Sequence, residues 1–270
     1  MRIALVGGDA RMPHAARALA DGGHEVMLSA HGEVPLSPEA LSHAEAVLLP
    51  MPLSRDGVHL HAPLSPLPVP LSPLFAMVPE QATLLAGKED AVIRTLAGGR
   101  RLLCYGAGEE FWLRNSYATA EGAISILLQR LPTTLSETPC LLLGSGHLAR
   151  ALLDLLRGLH APVTVFARNT APMPSGERPL SLGALAAEIG KFPVILNTVP
   201  VRLLDRSLLL RSASGTLLLE LSAAPGVIEE GAAREAGITL VAAPALPGRS
   251  APVSAGRAIA DAVTAILKPT

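Results

Sequence analysis

Short apolar runs alternate along the chain with longer stretches in which apolar residues recur every three or four positions. IALVGG, at residues 3–8, is a strand stopped by glycines. ARMPHAARALADGG has helical spacing and a glycine stop, and HEVMLSA is a second strand, so the chain opens on a βαβ unit. EAVLLP at 45–50 predicts a third strand, and TLLAG, EDAVIRTLAGG and RLLCYG at 101–106 continue the alternation of strand and helix. Within this run MPLSRDGVHLHAPLSPLPVPLSP is dense in proline, which removes backbone donors and forbids helix. It is expected to be an extended loop with an edge strand around Val58 to His61.

SYATAEGAISILLQRL at 116–131 predicts a helix of about 24 Å, ended by Pro132. CLLLG then opens a second alternating run: a helix over 147–158, the strand VTVFAR, a Pro-rich loop, the helix LGALAAEIG, and the strands VILNTVP, GTLLLELS and ITLVAA. Residues 252–267 are again helical in pattern. Strands separated by helices form parallel sheets covered on both faces. The expected fold is α/β: two Rossmann-like domains with parallel sheets, joined by long interdomain helices, with the active-site cleft between them. The expected boundaries are 1–115 for an N-terminal substrate domain, completed by a C-terminal helix at 253–270, and 116–252 for an NAD(P)-binding domain.

Composition narrows the partners. The 22 Lys and Arg nearly cancel the 23 Asp and Glu, and aromatic residues are 3% of the chain. That gives neither the basic field nor the stacking platforms that nucleic acid needs, and no attraction to an anionic membrane. Cys104 and Cys140 lack zinc-site spacing and read as small core residues of a reduced, cytoplasmic protein, with no metal site expected. The N-terminal apolar run is too short for a signal peptide, and no apolar run reaches membrane-spanning length.

GSGHLA, Gly144 to Ala149, follows an apolar strand, opens a helix, and fits the G-x-G-x-x-G/A pattern of dinucleotide-binding turns. Gly144 permits the tight turn, Gly146 lets backbone approach a pyrophosphate, and the small Ala149 lets helix and strand pack closely. Helix-start amides at Ser145, Gly146, His147 and Leu148 then face the phosphates. An NAD site usually presents an acid to the ribose about 20 residues further on. Here the strand ends in Ala167 and Arg168, whose guanidinium suits a 2′-phosphate, so NADP is favoured over NAD. Asn197, Thr198, Val199 and Pro200 end one later strand and Ser222 follows another, at the carboxyl ends where such ligands bind. The other glycine turn, VGGDAR, carries Asp9, which caps a helix and repels phosphate, whereas Arg11 offers a cation.

VGGDAR, AVLLPMPLSRDG, NSYATAEGAI at 115–124, GSGHLA, the Ala167–Arg168 pair, LNTVP and APALPGRSAPVSAG at 243–256 together resemble the A-subunit family of dipicolinate synthase over nearly the whole length. More distantly, the architecture is similar to two-domain dehydrogenases acting on hydroxy acids and amino acids. The resemblance implies oxidation of dihydrodipicolinate to dipicolinate with a nicotinamide hydride acceptor, partnership with the flavoprotein-like B subunit of dipicolinate synthase, and the mother cell of a sporulating bacterium as setting. It implies a small dicarboxylate substrate held by Arg11, Ser54, Asn115, Thr119, Gly122, Pro247 and Gly248. Thr119 and Glu121 are the candidate catalytic residues. Glu121 also reads as an early helix acid favoured by the dipole, and general-base action requires a pKa raised by burial. Relatives usually carry an Asp and a PGG turn where this chain has Glu220 and Pro225-Gly226-Val227. Two alternatives stay open: a non-catalytic NADP(H)-binding subunit supporting a flavoprotein, and a related dehydrogenase for another small carboxylate. A homo-oligomer is compatible with either.

Overall fold

The computed structural model describes residues 1–222 and 227–268. Its strands are β1 (Arg2–Val6), β2 (Glu25–Ser29), β3 (Ala46–Leu48), β4 (Thr83–Ala86), β5 (Leu102–Cys104), β6 (Cys140–Leu143), β7 (Val163–Ala167), β8 (Leu180–Ser181), β9 (Val194–Asn197), β10 (Leu217–Glu220) and β11 (Thr239–Ala242). Its helices are α1 (Arg11–Asp21), α2 (Pro38–Ser42), α3 (Leu71–Met77), α4 (Ala91–Ala97), α5 (Glu109–Arg130), α6 (His147–Gly158), α7 (Leu185–Glu188), α8 (Arg206–Leu209), α9 (Glu230–Glu235), α10 (Leu246–Ser250) and α11 (Pro252–Leu267). The chain divides into two compact units, Met1–Asn115 with the chain from Pro247 onward, and Ser116–Leu246. The dividing line falls inside α5 after Asn115.

The first unit holds a parallel sheet of order β2-β1-β3-β4-β5. Alternate residues of β1 feed two separate cores: Ile3 and Leu5 pack with Met12 of α1 and Ile259 of α11, whereas Ala4 and Val6 pack with Leu41, Leu74 and Ile93 on the other face. A strand buried on both faces reads as an unbroken apolar run, which is why IALV was legible. Helix α1 accepts Pro13 in its first turn, where no intrahelical donor is lost, and stops at Gly22 and Gly23, the latter at φ +87°. Helix α11 starts with proline at its first position and packs on α1. The contact is tight: a Cβ on Gly256 would lie 2.5 Å from the Arg11 carbonyl oxygen and 2.6 Å from the His14 Cβ.

The second unit holds a parallel sheet of order β11-β10-β9-β6-β7-β8. Counted within the unit this is the 3-2-1-4-5-6 order of dinucleotide-binding domains. Leu142, Val194, Leu196 and Leu219 face α5 and α6; Leu141, Leu143, Ile195 and Leu218 face the opposite layer.

Several local expectations are corrected. The long helix begins at Glu109, not Ser116, because Glu109 and Glu110 suit its N-terminus and Phe111 sits edge-to-face with both Tyr105 and Trp112 at 5.4 Å. The edge strand near Val58 reduces to one bridge, His59 with Pro70. The proline-rich stretch ends in α3, and the loop after β7 yields the short β8. APALPG, at the end of β11, leads into α10.

Gly256→Ala is expected to destabilise the protein by about 1–3 kcal/mol, because the added methyl meets backbone. Gly108→Ala serves as control, since Gly108 has φ −82° and nothing within 4 Å of its Cβ position. Urea unfolding measures both; equal stability of the two variants would contradict the close helix crossing.

Candidate functional site

In the second unit the buried strand β6 runs into Gly144 at φ +110°, a conformation that L side chains rarely adopt. A Cβ there would also lie 2.4 Å from the Thr198 Oγ1. Thr198 is fixed in turn, its hydroxyl donating to the Leu143 carbonyl at 2.7 Å and its amide to the same oxygen at 3.2 Å. Gly146 is the N-cap of α6; no side chain caps the helix, and nothing lies within 4 Å of its Cβ position. An uncapped helix start beside an open glycine is a ready anion site. Ser145, His147 and Leu148 are partly buried around it, Ala149 is fully buried against the sheet, and Arg150 donates to the Ser145 carbonyl at 3.2 Å.

Arg168 follows β7 directly, is exposed, and carries no carboxylate partner among the described residues. Asn197 differs from the expectation of a ligand-facing amide. It is fully buried, donates to Glu220 Oε2 at 2.6 Å and to the Val199 carbonyl at 3.3 Å, and accepts from the Val199 amide. Its side chain ties β9 to β10. Glu220 accepts a further bond from the Ser222 amide at 2.7 Å, whereas the buried Ser222 Oγ has no partner among the described residues. Val199 is partly buried and Pro200 exposed beside this strand end. The departure at Pro225 and Gly226 lies outside the described residues.

The first unit gathers a different set at the carboxyl ends of β1 and β3, the switch point of its sheet. Arg11 is 7% exposed. Its Nε and Nη2 grip Asp9 at 2.8 and 3.0 Å, Nη2 also donates to the Met51 carbonyl at 3.0 Å, and Nη1 reaches Asn115 Oδ1 at 3.4 Å. Asp9 additionally accepts from the Arg11 amide, and His31 Nε2 lies 3.1 Å from the Asp9 carbonyl. Burial pushes the Asp9 carboxyl up, but hydrogen bonds and charge from Arg11 outweigh it and hold the group below its ordinary value. A Cβ on Gly248 would stand 2.8 Å from that carboxyl carbon, so Gly248 closes over the carboxylate. Gly248 thus lies against Asp9, and Arg11 is already paired with that carboxylate.

Ser54 closes its own turn, donating to Asp56 at 3.0 Å and accepting from the Gly57 amide at 2.9 Å. Thr119 and Gly122 are buried within α5, and their amides belong to the helix. Glu121 lies mid-helix and exposed, beside Leu128, Asp154 and Leu159 of the second unit, so the early-acid explanation fails. The missed neighbours are His31, His61 and Arg55. A cation and a histidine in the loop after β3, next to a glycine turn, were the available signal. Burial pushes both thiols up, Cys140 to about 12, which disfavours the thiolate form at each. Among the described residues no cluster of His, Cys, Asp or Glu is arranged to hold a metal, and no helix is long and apolar enough to cross a membrane.

Two all-parallel α/β units, one with a dinucleotide-binding strand order and an open glycine turn, give the chain a dehydrogenase-like fold. Residues 2–105 match the family model of the N-terminal domain of the dipicolinate synthase A subunit. The chain is 25% identical to the dipicolinate synthase A subunit of Bacillus subtilis strain 168, covering 99% of this chain and 96% of that protein. Its fold is similar to the crystal structure of the dipicolinate synthase A subunit from Bacillus halodurans, with a TM-score of 0.85 and 23% identity over 99% and 98% of the two chains. A transhydrogenase from Sinorhizobium meliloti shares the fold at a TM-score of 0.65 and 13% identity, over 98% and 92% of the chains. The family model covers residues 2–105 of the first unit, and over nearly its whole length the chain is similar to dipicolinate synthase A subunits.

Asp9→Asn leaves the Arg11 charge uncompensated in a buried place and is expected to cost about 3 kcal/mol. Because Asp9 titrates below its ordinary 3.8 when folded, its contribution is complete above that value and drains away as pH falls through the depressed one. Urea titrations from pH 7 to 2 should show the variant losing less stability on acidification than the parent. Parallel curves would remove the pair from the acid limb.

Proposed function

We propose that this chain is the A subunit of a dipicolinate synthase, taking a hydride and a proton from dihydrodipicolinate to give dipicolinate, with NADP as hydride acceptor. The observation that carries the proposal is the β6–α6 turn, an open, uncapped helix start in a 3-2-1-4-5-6 sheet whose neighbouring strand ends in Arg168 and no acid. These residues fit a phosphorylated dinucleotide: Gly144, Gly146 and the first amides of α6 would hold the pyrophosphate, and Arg168 the 2′-phosphate. Such a cofactor, when bound, supplies the hydride-accepting ring. The protein's own part is to hold and orient a small dicarboxylate. Losing a hydride and a proton makes the ring aromatic, so positioning matters more than a strong base.

The family relationship supports partnership with a flavoprotein-like B subunit, and a place in the cytoplasm of a sporulating cell. Purified chain with a dihydrodipicolinate precursor and NADP, alone and with the B subunit, is expected to develop the dipicolinate absorbance in at least one mixture. Absorbance in neither mixture overturns the reaction. Arg168→Asp is expected to weaken NADP binding about tenfold or more relative to NAD, since it replaces a charge-assisted contact by repulsion. An unchanged NADP-to-NAD ratio in fluorescence titrations removes the 2′-phosphate assignment.

A further inference from the structure

We infer that Arg55, oriented by His61, receives a carboxylate of the substrate in the first unit, and that Arg11 is a positioning residue only. The inference rests on the proposed dicarboxylate substrate. Four of the five N–H groups of the Arg11 guanidinium are engaged by Asp9, Met51 and Asn115, and its charge is matched by Asp9 at 2.8 Å. A substrate carboxylate approaching Arg11 meets an ion pair that is already neutral and largely shielded from solvent.

Arg55 differs on each count. It is exposed, sits in the loop after β3 at the same switch point, and has no carboxylate partner among the described residues. Among the described residues its side chain donates from Nε to His61 Nδ1 at 3.4 Å. Accepting that bond requires His61 to be neutral with its proton on Nε2. Burial first, then the charge of Arg55, holds the imidazole below its ordinary value, with Asp9 opposing. The ring therefore steers Arg55 without cancelling its charge, and both Nη groups stay available for the fork geometry that matches a carboxylate.

The loop is built to hold that arrangement. Asp56 accepts from the Val58 and His59 amides at 2.9 and 2.8 Å and pairs with His59 Nδ1 at 2.7 Å, while Ser54 bridges Asp56 and Gly57. Arg55 lies within this stapled turn. His61 is pinned through its backbone: its amide donates to the Leu53 carbonyl at 2.7 Å, and its carbonyl accepts from the Gly8 amide at 2.9 Å. Gly7, at φ +64°, has no room for a side chain, since a Cβ would meet Leu60 Cδ2 at 2.6 Å and Ala62 Cβ at 2.9 Å. The histidine segment is thereby pressed onto the β1 turn, where Asp9 and Arg11 start α1.

The test compares binding of dipicolinate and the monocarboxylate picolinate to the NADP-loaded protein by calorimetry, in the parent and in Arg55→Gln. The parent should prefer dipicolinate by about tenfold or more, the worth of one charge-assisted pair. Arg55→Gln should bring the two affinities together, with NADP affinity and thermal stability unchanged because the side chain is exposed. His61→Ala should shift the preference in the same direction, and His61→Asn, whose Oδ1 accepts a bond near the lost Nδ1, should restore it. Dipicolinate binding by the parent together with an unaltered preference in Arg55→Gln overturns the inference alone. Failure of the parent to bind dipicolinate at all overturns the proposed substrate and the inference with it.

Discussion

The first unit depends on how closely α11 lies on α1. With no side chain at Gly256, the helix backbone presses against the Arg11 carbonyl, and the last helix of the chain completes the core beneath β1 through Ala258, Ile259 and Val263. The same returning segment places Gly248 over the Asp9 carboxylate. A buried ion pair survives only when both charges are matched and their remaining hydrogen-bonding capacity is used. Here the cover comes from residue 248, the carbonyl from Met51 and the amide from Asn115, so the β1 turn is assembled from four distant pieces of chain.

Two glycine turns of similar sequence shape therefore do different work. Both follow the first strand of a parallel sheet and both open a helix. At Gly146 the helix start is uncapped and its approach open, which leaves the helix's positive end for an anion. At Gly8 the approach is filled: a Cβ would meet Met12 at 2.4 Å, and Asp9 supplies the negative charge internally. The contrast follows from one acidic residue and the arginine that neutralises it. A consequence is that positive charge for a ligand in the first unit has to come from outside α1, and the loop after β3 is the neighbouring segment at the switch point.

Much of this architecture was legible because a strand buried on both faces leaves an unmistakable apolar run. β1, β6, β9 and β10 each do so, and the 252–267 helix showed its initial proline and its spacing. What escaped was short or mixed. β8 has two residues and α2 five, too few for a period to develop, and α5 opens on EEFWLRN, whose charged and aromatic residues obscure a helix start. The glycine turn was legible because its logic is local. Arg11 was legible as a cation, but its state is decided by a carbonyl 40 residues away and an amide 104 residues away, which no local pattern encodes. Asn197 fails for the same reason: its partner Glu220 lies on the neighbouring strand, at the paired register position.

The chemistry around β1 also bears on what kind of reaction this unit suits. Its carboxylate is held ionised by Arg11 and is a poor proton acceptor, while His61 accepts from Arg55 and offers Nε2–H as a donor. Glu121, the other acid considered, is exposed on the second unit beside Asp154 and apolar side chains. What the switch point offers is an array of donors with fixed charge and no strong base among the described residues. A reaction that needed a proton pulled from unactivated carbon would be badly served by such a set. The proposed oxidation of a dihydropyridine would be served well, because aromatisation lowers the demand on the base and would leave orientation of the two carboxylates as the main task.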